Sequence, residues 1–163
     1  MTATTPLYSR MISADSHVAA PLEELTARLP ENLRDLGPTD ITIDGESYRN
    51  FPGLAPISKA YSDNQHEAET TDPMEPFREF RDDPEGGRNL ARRKAALELD
   101  GVWGEVVYPN SLSLGANPSA DYQREMAKLY NDMCVEIFLA EDKDRYAPAA
   151  LLSTMDPLDA VSE

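Results

Sequence analysis

Tyr122, Met126, Leu129, Tyr130, Met133, Ile137 and Ala140 recur at intervals of three and four, laying a broad apolar stripe along one helix. Asn117 stands as its cap and Pro118 at its first position, and the stripe runs to about Glu141. An apolar run flanks it on each side. Val102-Trp103-Gly104-Glu105-Val106-Val107-Tyr108 precedes it and is ended by Pro109-Asn110, and Tyr146-Ala147-Pro148-Ala149-Ala150-Leu151-Leu152 follows it. Strand, long helix, strand predicts parallel strands joined by a crossover, in a sheet that needs cover on both faces.

The same grammar extends in both directions. Met11 to Ala14 reads as a short buried strand with Asp15 and His17 at its C-terminal end. Leu22, Leu25 and Leu29 have helical spacing, Pro21 suits the first helical position and Pro30 stops the run. Arg88 to Asp100 reads as a helix with Gly101 where a C-terminal glycine belongs. Asp156-Pro157 opens a last helix. The order is therefore strand, helix and excursion, strand, helix, strand, helix start, which is an α/β pattern with three core strands.

The excursion covers about 30–87 and holds over half of the chain's 13 prolines. Within it, Ile41 to Tyr48 alternates around Asp44-Gly45 and predicts a small hairpin. The rest has no sustained period, the mark of a lid, a binding loop or a surface excursion. At 163 residues the chain is long enough for one domain with a real core. Its net charge of −15 repels phosphate backbones and anionic membranes, so neither nucleic acid nor a membrane is an expected partner. A single cysteine, Cys134, fits a reducing cytoplasm and lies beside the stripe as a small packing residue. The N-terminal residues show no signal peptide, and no apolar run is long enough to span a bilayer.

Asp15 and His17 are the first candidates for chemistry. Two ligand-type side chains two residues apart on a strand point to the same face, so they can share one metal ion. Six of the 15 basic residues (Arg78, Arg81, Arg88, Arg92, Arg93 and Lys94) crowd into 78–94, ordinarily a solvated face and less often a contact for an anion. His66, inside the excursion, reads as an exposed loop residue rather than a ligand.

Four segments resemble the amidohydrolase-2 family, the metal-dependent TIM-barrel hydrolases and decarboxylases related to aminocarboxymuconate semialdehyde decarboxylase. Ile12-Ser13-Ala14-Asp15-Ser16-His17-Val18 is similar to its first-strand metal motif. Leu99-Asp100-Gly101-Val102 with Glu105 to Asn110 is similar to its second strand, and Tyr130-Asn131-Asp132 to its second-helix signature. Asp144-Arg145-Tyr146 through Asp156-Pro157 to Glu163 is similar to its third strand and the helix after it. The resemblance implies the first three strands of a (β/α)8 barrel, completed by another chain or truncated. It implies Asp15 and His17 as ligands of a divalent metal, zinc or manganese, and Asn110 as a substrate contact. The family's further His and Asp ligands belong to later strands, so a second polypeptide is the expected partner. Ala20 stands where the family often has Glu. The activity implied is hydrolysis of a small carboxylated or acyl substrate. The alternatives are non-oxidative decarboxylation and a non-catalytic scaffold or regulatory subunit.

Overall fold

The computed structural model describes residues 10–59, 87–110, 117–153 and 155–162. His66, Arg78 and Arg81 lie outside them, as does the second half of the Pro-rich excursion. The chain forms two compact units, and each has its own sheet. Among the described residues no helix is long and apolar enough to cross a membrane.

The first unit contains residues 10–20, 87–110 and 131–150. Its sheet is parallel, in the order β1 (Met11–Ala19), β5 (Val102–Asn110), β6 (Tyr146–Pro148). This is the mixed α/β architecture with a parallel sheet that the strand–helix alternation predicts. Helix α3 (Leu90–Leu99) leads into β5. Asn89 caps it by accepting from Arg92 N–H, and Gly101 follows it with φ of 71°. β1 differs from the expected short buried strand: it runs nine residues, and Met11 and Ile12 are exposed. β5 likewise extends through Pro109 to Asn110, and β6 is shorter than the apolar run suggested.

One face of this sheet is covered and the other is open. Side chains alternate across a strand. On one side lie Glu105 and Val107 of β5, Val18 of β1 and Tyr146 of β6, all buried. Phe138 packs on Tyr146 there, with ring centroids 5.5 Å apart, and burial pushes the Tyr146 phenol up. The opposite side carries Ile12, 56% exposed, together with His17, Tyr108 and Ala147, all exposed. β1 reaches the open side through a bulge. Ser13 and Ser16 partner Glu105 and Val107, so three steps on β1 match two on β5. Ser13 and Ser16 therefore share the covered side, and their hydroxyls are 3.0 Å apart.

The second unit contains residues 21–59, 117–130 and 151–162. Helix α1 (Leu22–Arg28) starts one residue later than Pro21 suggested, and a short α2 (Glu31–Arg34) follows Pro30. The hairpin is present as β2 (Thr39–Ile43) and β3 (Glu46–Asn50), and β4 (Ile57–Ser58) adds a third antiparallel strand that the sequence did not signal. Asp44 and Gly45 turn the hairpin with φ of 52° and 87°, the twist a two-residue hairpin loop needs. Arg49 and Lys59 both reach Asp40, at 2.5 and 2.9 Å. Hydrogen bonds from Lys59 and then Arg49 hold the Asp40 carboxyl below its ordinary value of 3.8, outweighing desolvation.

Helix α4 (Ala120–Cys134) carries the long stripe. It starts later than the Asn117 cap predicted, because Ser119 takes the capping role and accepts from Tyr122 N–H. Asn117 is buried and holds the approach instead. Its amide donates to Leu36 O and accepts from Ser119 N–H, and its carbonyl accepts from Gln123 Nε2 at 2.7 Å. A π turn (Val135–Leu139) follows, then a short α5 (Ala140–Asp142). The π turn advances the helical face by one residue. Phe138 becomes the buried position where a 3.6 period pointed to Ile137, and Ala140 is exposed. Cys134 is buried, as a packing residue should be. The last helix, α6 (Pro157–Ser162), is capped by Asp156, which accepts from Leu158 N–H at 2.8 Å.

Two outcomes follow from these contacts. Asn117→Ala leaves the Leu36 carbonyl and Ser119 N–H without that amide, and denaturant unfolding should show a loss of about 1–3 kcal/mol. Because Asp40 is held below 3.8, its contribution is complete above that value and is lost as pH falls through the lower folded-state value. A carboxyl-carbon NMR titration should place its midpoint below 3.8 and move it upward in Lys59→Met.

Candidate metal centre

The Asp15-x-His17 pair lies in the C-terminal half of β1, with Asp15 inside the bulge and His17 just past it. His17 Nε2 stands 3.2 Å from Asp15 Oδ1, with side chains 49% and 87% exposed. The two therefore share the open side of the sheet. His17 is paired in register with Tyr108, whose ring lies 6.2 Å from the imidazole at a tilt of 46°. Asn110 is opposite Ala19 at the end of β5, exposed, and inside the strand rather than in a turn after it. Ala20 follows β1 and is half-buried.

The pair fits two vertices of a metal site. Nitrogen and oxygen donors held about 2.1 Å from a tetrahedral zinc are roughly 3.4 Å from each other. The observed separation of 3.2 Å matches that spacing. Two donors do not close such a site, which generally takes three protein ligands. Among the described residues no group of three His, Cys, Asp or Glu side chains comes together. What the pair offers by itself is an accessible imidazole and a carboxylate on one exposed surface.

Behind this surface lies a buried ion pair that the sequence reading did not single out. Arg93 of α3 and Glu105 of β5 meet through a two-pronged contact: Nε faces Oε1, and Nη2 donates to Oε2 at 3.0 Å. Their side chains are only 9% and 2% exposed. Arg93 Nη1 also donates to His17 O and to Gly87 O, each at 3.0 Å, and its guanidinium lies 5.4 Å over the Phe138 ring. Gly87 tolerates this approach because it lacks a side chain: a Cβ there would stand 2.5 Å from Nη1, at a φ of 82°. The basic cluster is thus not simply a solvated face, since one of its members turns inward. The available signal was Glu105 itself, a carboxylate in the middle of an apolar strand, which needs a buried partner.

A buried, two-pronged pair is costly to break from one side. Glu105→Ala leaves the Arg93 charge unmatched, and chemical denaturation should register a loss of about 3–5 kcal/mol.

No family model matches the chain, and no curated protein does. Among solved structures, it is similar to an amidohydrolase from Mycobacterium avium subsp. paratuberculosis K-10, with a TM-score of 0.61 at 18% identity. The match covers 96% of this chain and 45% of that one. At this identity the likeness concerns the fold alone, and the chain spans less than half of that protein's length.

Proposed function

We propose that the chain supplies the first part of the active site of a metal-dependent, amidohydrolase-like hydrolase acting on a small carboxylated or acyl substrate. Asp15 and His17 would be two ligands of a divalent ion, zinc or manganese. The ion, when bound, supplies Lewis-acid polarisation of a substrate oxygen. The chain's own contribution is to present the imidazole and carboxylate side by side in the C-terminal half of β1, toward the strand end where barrel enzymes gather their chemistry. Asn110, at the end of the neighbouring strand, is assigned as a substrate contact, where its amide can donate to a carboxylate or carbonyl oxygen.

The observation that carries this reading is the 3.2 Å contact of His17 Nε2 with Asp15 Oδ1 on the open face. The fold likeness to an amidohydrolase supports it. We assign the further strands, the further ligands and the general base to sequence outside this chain, supplied by a second polypeptide or by a longer form of the same one. Ile12 and Tyr108 are exposed on the same face of the sheet, apolar side chains that a segment covering that face would bury. A scaffold or regulatory role is the second reading, favoured by Ala20, which stands where the family often has Glu.

The test is the native assembly, purified with its companion chain, weighed by native mass spectrometry and assayed for metal. Asp15→Ala and His17→Ala should each remove the metal and lower kcat/KM by about 100-fold or more. If both variants keep full metal content and activity, the scaffold reading replaces this one. Carbon dioxide as the product would assign decarboxylation instead of hydrolysis.

A further inference from the structure

Arg93 has five N–H donors in a rigid fork, and Glu105 engages only one edge of it. The other arm, Nη1, reaches the main chain of His17. We infer that Arg93 is a positioning residue: held by Glu105 and Phe138, it fixes the His17 peptide so that the imidazole stands beside Asp15 on the open face. This inference rests on reading Asp15 and His17 as metal ligands.

The need for such a grip comes from the strand itself. The bulge between Ser13 and Ser16 breaks the regular ladder immediately before His17. A bulged strand bends and twists more than a regular one, so the direction of its next side chains is less determined by pairing. His17 and Asp15 are also exposed on their own side, where little packing holds them. Pairing with β5 resumes only at Ser16, so a further constraint through the backbone from the covered side sharpens the placement of His17. Arg93 provides it with a charged donor at 3.0 Å to a carbonyl, fixed in direction by three further contacts. Supporting groups behind ligands orient them in the same manner in metal sites generally. Lysine cannot substitute, because a single ammonium lacks the planar fork that engages Glu105 and His17 together.

The experiment compares the full chain with Arg93→Lys by NMR. The local readout is the contact between the His17 and Tyr108 rings, and the control is the contact between Phe138 and Tyr146. The metal readout is broadening of His17 and Asp15 resonances by added Mn2+. In Arg93→Lys the His17–Tyr108 contact should be lost while the Phe138–Tyr146 contact remains. The Mn2+ concentration that half-broadens His17 should rise roughly tenfold. A folded Arg93→Lys chain with an unchanged His17–Tyr108 contact overturns the inference. If wild-type His17 is not broadened by Mn2+ but the ring contact is lost in the variant, positioning stands and the metal reading falls. If Arg93→Lys does not fold, the wild-type chain decides. A scalar coupling across the hydrogen bond from Arg93 Nη1 to the His17 carbonyl carbon supports the inference, and its absence overturns it.

Discussion

The Arg93 guanidinium gathers groups from four separate segments: the Glu105 carboxylate on β5, the His17 carbonyl on β1, the Gly87 carbonyl before α3, and the Phe138 ring in the π turn. Two charges taken out of water are not a strong source of net stability, because desolvation offsets their attraction. What they impose is uniqueness. An unmatched buried charge is so unfavourable that compact arrangements burying Arg93 or Glu105 without the other are disfavoured. The helix, both strands and the turn must then meet in one register. Arg145 repeats the device on a smaller scale, donating from Nε to Trp103 O at 2.7 Å while Nη1 faces Glu98 at 3.5 Å.

That register gives the sheet its two unlike faces. The covered side takes Glu105, Val107, Val18 and Tyr146, and the open side takes Ile12, His17 and Tyr108. The extra residue in β1 matters here. Ser13 and Ser16 both sit on the covered side, so the phase of β1 changes between them, and His17 comes out opposite Tyr108. Strict alternation from Ser13 would have placed residues 13, 15 and 17 together on the covered side. The bulge therefore moves the ligand-type pair out to the exposed surface.

Much of the architecture was legible in the residues. The order of apolar runs and helical stripes reads as parallel α/β, because each element carries its own period. The Asp44-Gly45 hairpin and the Asp156 cap were legible for local reasons: turn and cap chemistry acts over two or three residues. The adjacency of Asp15 and His17 followed from strand geometry in the same manner. The less legible features depend on partners far away in sequence. Phe138 replaced Ile137 in the core because a π turn shifted the face, and no local signal marks such a turn. Asn117 left its expected capping position for a bond to Leu36, 81 residues earlier. Arg93 left a basic cluster for a partner 12 residues on and a carbonyl 76 residues back.

By itself the sequence determined the class of fold, the order along the chain of its three core strands and the type of groups available in the second half of the first strand. These follow from periodicity and from short-range backbone chemistry, which need no knowledge of what lies across the sheet. Tertiary structure alone decided which face of the sheet is open, where β1 slips by a residue, and that Arg93, among the described basic side chains at 88–94, reaches a buried carboxylate. Each of those outcomes turns on pairing between distant segments, and pairing energy exists only once the segments are brought together. The Asp15–His17 pair shows both kinds of determination. Its spacing on the strand is local, while its exposure on the open face depends on the register of β1 against β5.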